Sequence, residues 1–145
     1  MKLLKTILLT ILATSFSYSQ DLIDLSNAFK ADFNVDSVTL GVDSNVVNCS
    51  GAAIGYENGD YSAVYLTYHF TNQLDTDDSG EFTGLVWGQQ GENFLRGTLQ
   101  GVWRRNGQIF ELMTLDNIND GNVIFAVGKL NMATRTLKFD AGVVN

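Results

Sequence analysis

One histidine and one cysteine narrow what this chain can catalyse. His69 and Cys49 are each the only residue of their type among 145. A nucleophile–base pair for acyl transfer would have to use His69 as its base. The Gly-x-Ser-x-Gly turn that presents a nucleophilic serine is absent. A zinc site takes three or four His, Cys or carboxylate ligands, more than one His and one Cys supply. No glycine-rich phosphate loop opens a helix pattern, so nucleotide binding has no motif. Glu111 lies beside Ile109, Met113 and Leu115 on a strand-like segment, and its expected place is the solvent side. No catalytic residue and no cofactor is assigned. Cys49, within Val46-Val47-Asn48-Cys49-Ser50, reads as a small buried hydrophobe, with an intermolecular disulfide as the alternative.

Two other groupings carry chemistry. Asp75, Asp77, Ser79 and Gly80 match the opening of a calcium loop, D-x-D-x-[DNS]-G. The bidentate acid expected at position twelve is replaced by Val86, and the flanks read as strands. A solvated hairpin loop is the expectation here, with calcium at Asp75, Asp77 and Ser79 as the alternative. The second grouping is aromatic. Tyr65, Trp87 and Trp103 are the candidates for lining a ligand pocket, and filling the core is the competing fate for such side chains in a small barrel.

The elements that must position these residues read as strands. The chain has no proline and 14 glycines, so Gly, Asn and Asp mark its turns. The clearest are Asn58-Gly59-Asp60, Asp78-Ser79-Gly80, Asn106-Gly107 and Asp120-Gly121; Asn-Gly and Asp-Gly favour type I′ hairpins. Between them apolar residues alternate. Val64, Leu66, Tyr68 and Phe70 share one face, as do Leu95, Gly97, Leu99, Gly101 and Trp103, and then Leu137, Phe139 and Ala141. Period-two alternation with one polar face signals half-buried antiparallel strands. Eight strands are expected near residues 32–40, 44–55, 61–72, 81–89, 93–105, 108–116, 122–131 and 134–143. Glycines inside strands cost about 0.5–1 kcal/mol each relative to Ala, and on a strongly coiled sheet they relieve crowding. The fold class is therefore all-β: one antiparallel meander of about eight strands, a closed or nearly closed barrel, with a β-sandwich as the alternative. Residues 32–145 form one β domain, and residues 20–31 a lead-in, either a short helix over Asp21–Ala31 or an extended strand.

An echo at offsets of 16–17 residues relates Gly80, Gly84, Trp87, Gly91 and Phe94 to Gly97, Gly101, Trp103, Gly107 and Phe110. One strand plus one turn explains that length, and a shared register would set Trp87 and Trp103 at equivalent heights. The segment Gly97-x-Leu99-x-Gly101-x-Trp103-x-x-x-Gly107-Gln108-x-Phe110 resembles hairpins of many small lipocalin-like and avidin-like barrels, over two strands and in common residue types.

Residues 1–19 have the layout of a secretory signal peptide. Lys2 and Lys5 form a positive start, Ile7–Ala13 a short apolar run, and Ser17 and Ser19 small residues ahead of a cut before Gln20. The run is shorter than the roughly 20 residues a membrane helix needs. The whole chain carries a net charge of −7. Loss of Lys2 and Lys5 leaves seven basic against sixteen acidic residues, a net −9. An acidic surface repels phosphate backbones, so nucleic acid is not an expected partner. Short turns at both ends and outward rows containing Arg96, Gln100, Arg104 and Lys138 speak against a transmembrane barrel. The expectation is an exported domain, periplasmic or extracellular, that binds a small apolar or aromatic ligand. A filled barrel contacting another envelope protein is the first alternative, and a histidine-independent isomerase or cyclase the second.

Overall fold

A computed structural model describes residues 22–57 and 59–145. The proposed signal peptide lies outside the described residues. The strands are β1 (Leu25–Thr39), β2 (Asn45–Tyr56), β3 (Gly59–Thr71), β4 (Ser79–Gln90), β5 (Asn93–Asn106), β6 (Ile109–Ile118), β7 (Val123–Asn131) and β8 (Thr136–Val144). Each pairs antiparallel with the next, and β1 pairs with β8, giving one closed eight-stranded meander barrel. Closure leaves no edge strand to template aggregation. The helix alternative for Asp21–Ala31 gives way to strand from Leu25. Extended backbone there lets Lys30–Asn34 bond to β2 on one side and β8 on the other, which a helix could not do.

The alternating rows point inward as expected. Val64, Leu66, Tyr68, Leu99, Leu137 and Phe139 are buried. Eight strands enclose a space just wide enough for side chains or one small ligand, and the two ends fill it differently. At the end bearing the β1–β2, β3–β4, β5–β6 and β7–β8 connections, Tyr68, Phe70 and Phe82 form an aromatic trio with centroids 5.4–5.6 Å apart. Leu112 and Leu137 close the packing there. We call this the packed end.

Large rings need space, and facing glycines provide it. Phe82 pairs across the ladder with Gly101, where an added Cβ would meet the Phe82 ring at 2.7 Å. Trp103 pairs with Gly80 in the same way. The 16-residue echo does not set Trp87 and Trp103 level. Antiparallel neighbours run in opposite directions, so Trp87 faces Arg96 and Trp103 faces Gly80, seven residues apart along β4. One turn also differs from expectation. Asn106 pairs with Ile109, so the central residues are Gly107 and Gln108. Only Gly107 has positive φ, +62°, the pattern of a type II′ turn.

Candidate functional site

The inward row of β6 is Phe110, Leu112, Thr114, Asp116 and Ile118, which sets a carboxyl inside an apolar barrel. Asp116 is 8% exposed. It lines a half-open cavity of about 90 Å³ in the half of the barrel away from the packed end. Phe33, Val64, Leu66, Leu99 and Ala126 form much of the apolar wall. The partly exposed lining residues Phe29, Tyr61 and Leu95 mark the mouth, toward the turns joining β2–β3, β4–β5 and β6–β7. Tyr56 stands there with its hydroxyl donating to Asp120 Oδ2 at 2.5 Å and accepting from Asn122 Nδ2 at 3.0 Å. Desolvation, then the hydrogen bond to Asp120, raises the Tyr56 pKa above the ordinary phenol range.

Asp116 is tied to a gap in the backbone ladder. Pairing between β5 and β6 joins Gly97 to Ile118 and Thr98 to Asn117, then resumes at Gly101 and Thr114. Side chains serve the skipped positions. The Thr114 hydroxyl reaches the Gln100 carbonyl oxygen at 3.2 Å and also contacts the Asp116 carboxyl. The Gln100 amide donates to the Leu115 carbonyl oxygen. One hydroxyl proton cannot be given to both of Thr114's neighbours. A protonated Asp116 resolves this by donating to Thr114, which then donates to Gln100. Burial raises the Asp116 pKa to about 7, against hydrogen bonds from Thr114 and the Gln100 backbone that favour the anion. At neutral pH this carboxyl can both accept and donate a proton. The titratable groups around the cavity are Tyr56, Tyr61 and Tyr68; no Lys, Arg or His is among its described lining residues.

The residues singled out from the sequence are spread over the surface and the packed end. Tyr65 and Trp87 face outward, 55% and 52% exposed. Their rings are 6.4 Å apart, and Trp87 stacks on Phe94 at 5.6 Å and 21°. They form an outer aromatic row and do not line the cavity. Trp103 is partly buried at the packed end, its Nε1–H donating to the Thr71 carbonyl oxygen at 3.0 Å. Trp103 and Asp75 both border a polar depression of about 630 Å³ between the β1–β2 and β3–β4 connections. It is the larger of the two spaces, but its wall is mostly polar, whereas the smaller one is lined almost entirely by apolar surface.

The acidic loop is organised by its own side chains. Asn72 Oδ1 accepts from the Thr76 backbone N–H at 3.0 Å, and the Ser79 hydroxyl donates to Thr76 Oγ1 at 2.8 Å. Asp78 pairs with Arg105. Among the described residues no three His, Cys, Asp or Glu side chains are grouped to hold a metal ion. Cys49 is buried and free. Burial, then the Asp36 carboxylate, pushes its thiol up to about 12, so it is an inert packing group and unsuited to an intermolecular disulfide. Glu111 faces solvent.

The fold and site define a small meander barrel with one packed half and one apolar cavity holding a single carboxyl. No protein-family model, curated protein or solved structure matches the chain.

Proposed function

We propose that the protein is a non-catalytic binding module that holds a small apolar ligand inside its barrel. The half-open apolar cavity carries this reading: a barrel meant only as a scaffold gains stability by filling such a space, at roughly 24 cal/mol per Å³. The volume suits a slender ligand, since an apolar cavity of about 150 Å³ accommodates benzene; an aromatic guest would have to extend into the mouth. An apolar interior with Lys30, Asp32, Lys138 and Asp140 on the outer wall also supports a water-surrounded barrel over a transmembrane one, whose interior is polar. The leader pattern adds an exported location. The test is native mass spectrometry of protein purified without denaturant, alongside Ala126→Leu, which extends a side chain into the cavity. A bound small molecule in the parent and none in the variant is the expected result. Empty parent protein, with no small apolar compound raising its melting temperature, would defeat the reading.

A second reading is contact with another envelope protein through the outer row Tyr65, Trp87 and Phe94, supported by their exposure. Under it, Trp87→Ala abolishes partner binding without changing the melting temperature or the cavity's ligand content.

A further inference from the structure

The cavity's described lining holds one carboxyl and no cationic side chain to balance it when ionised. Asp116 and Thr114 stand in an otherwise apolar wall, and the other titratable lining groups are tyrosines. The ion pairs of the described residues, Lys30–Asp140 and Arg105–Asp78, are both on the surface. A carboxylate in such a setting lacks the partner that buried charges ordinarily have. A guest that brings a cation supplies it. A guest that brings a carboxylate meets like charge at low dielectric. The overall charge of −7 also draws cations toward the barrel.

We propose that the cavity is a binding site for a small aliphatic amine, its apolar body against Leu66, Leu99 and Ala126 and its ammonium group on the Asp116 carboxylate. This rests on the ligand-binding reading above and narrows the class of ligand. Once Asp116 is ionised, the Thr114 hydroxyl turns its proton from Gln100 to the carboxylate, and the ammonium occupies the remaining acceptor positions. A charge-assisted pair of this kind is roughly twice as strong as a neutral hydrogen bond. The volume of about 90 Å³ holds a short chain, with any longer body leaving through the mouth between Phe29, Tyr61 and Leu95.

The test uses n-butylamine, butan-1-ol and butanoate, which share a chain and differ in head group. Binding to the isotope-labelled protein at pH 8 is read from the amide resonances of Thr114, Asp116 and Ala126. Butylamine is expected to bind at least tenfold tighter than butan-1-ol, and butanoate more weakly than either. Asp116→Asn should lower butylamine affinity at least tenfold while leaving butan-1-ol unchanged, which also shows that the variant folds. If it does not fold, the parent protein still decides: butylamine affinity should drop at least tenfold from pH 8 to pH 5. The alkylamine stays protonated throughout, and burial raises the pKa of Tyr56 and Tyr68 further above that range. Equal binding of amine and alcohol, or amine binding indifferent to both Asp116→Asn and pH, overturns the amine assignment and leaves the cavity reading standing. No response of the cavity amides to any of the three probes overturns both.

Discussion

The indole of Trp103 lies against Gly80, its partner across the β4–β5 ladder; a Cβ at position 80 would meet the ring at 2.6 Å. The contact is matched to a hydrogen bond, since the indole N–H donates to the Thr71 carbonyl oxygen at 3.0 Å. Three strands therefore meet at one ring: β3 accepts, β4 gives way, and β5 supplies the side chain. Trp103→Ala should cost about 3 kcal/mol, the lower part of the range for large aromatic truncations, because Trp103 is only partly buried. Gly80→Ala should cost about 2 kcal/mol or more by overpacking, since the added methyl would meet the Thr71 carbonyl oxygen even more closely than the indole. Urea denaturation of both variants checks this. Equal stability of Gly80→Ala and the parent would show that neither the indole nor the Thr71 carbonyl stands as close to Gly80 as described.

Asp116 makes stability depend on pH in the direction opposite to most carboxylates. Burial raises its folded pKa to about 7, against the 3.8 of an ordinary solvated aspartate. Between those values the folded state holds a proton that the unfolded state has lost, so stability falls as pH rises through this window. About three pH units at roughly 1.4 kcal/mol each give a loss of about 4 kcal/mol between pH 4 and pH 7. Asp116→Asn removes the slope. The variant should be more stable than the parent at pH 8 and lose that advantage toward pH 4. Parallel curves for the two proteins would mean that Asp116 is solvated and ionised in the folded state.

How far the fold was legible follows from these same strands. Turn residues and alternation place β2 to β8 within about two residues, because period-two patterning in β3, β5 and β8 leaves one face polar; β1 begins seven residues earlier than expected, at Leu25, where the sequence carries no clear alternation. β6 offers no such contrast. Ile109, Glu111, Met113 and Leu115 alternate with Phe110, Leu112, Thr114, Asp116 and Ile118, and each row mixes apolar with polar residues. Nothing in the pattern of β6 therefore distinguishes Asp116 as the inward acid from Glu111 as the outward one. The missing information was register. Once Trp103 faces inward and the turn centres on Gly107 and Gln108, Trp103 pairs with Leu112, and Asp116 follows on the same face. Tyr65 and Trp87 fall outside the cavity for a related reason. They alternate with Val64, Leu66, Val86 and Gly88, so their aromatic character marked them while their parity turned them to solvent. The cavity itself depends on how far each ring reaches across the barrel, which no strand pattern encodes.

The leader reading gives a check independent of the fold. Lys2, Lys5, the run Ile7–Ala13 and the small residues Ser17 and Ser19 form a pattern that predicts cleavage before Gln20. Protein recovered from the periplasm or medium should begin at Gln20 or Asp21 by N-terminal sequencing. Full-length chain retaining Met1 in the cytoplasm would remove the exported location.

At the cavity mouth, Tyr56 links two turns distant in sequence. Its hydroxyl donates to Asp120 at 2.5 Å and accepts from Asn122 at 3.0 Å, while Asn122 also reaches Glu57 at 3.0 Å. The β2–β3 end is thereby pinned to the β6–β7 loop, where Gly121 has a φ of +94° and its N–H bonds back to the Ile118 carbonyl oxygen at 3.0 Å. Below the hydroxyl, the Tyr56 ring packs edge-on against Phe29 at 5.1 Å and Tyr61 at 6.0 Å. Tyr56→Phe keeps these ring contacts and removes only the link. A hydrogen bond to a charged acceptor contributes about 1.5–3 kcal/mol, and with one side of this one open to water the loss should lie near the lower value. The larger effect should be local. Amide hydrogens of Asn119–Asn122 should exchange faster in Tyr56→Phe, while those of β4 and β5 at the packed end keep the parent's protection, because opening one turn pair does not require opening the barrel. If the cavity admits its ligand through this mouth, association should also speed up with little change in the bound state. Exchange that accelerates equally at both ends would mean that Tyr56 supports the whole barrel and does not act as a latch on one rim.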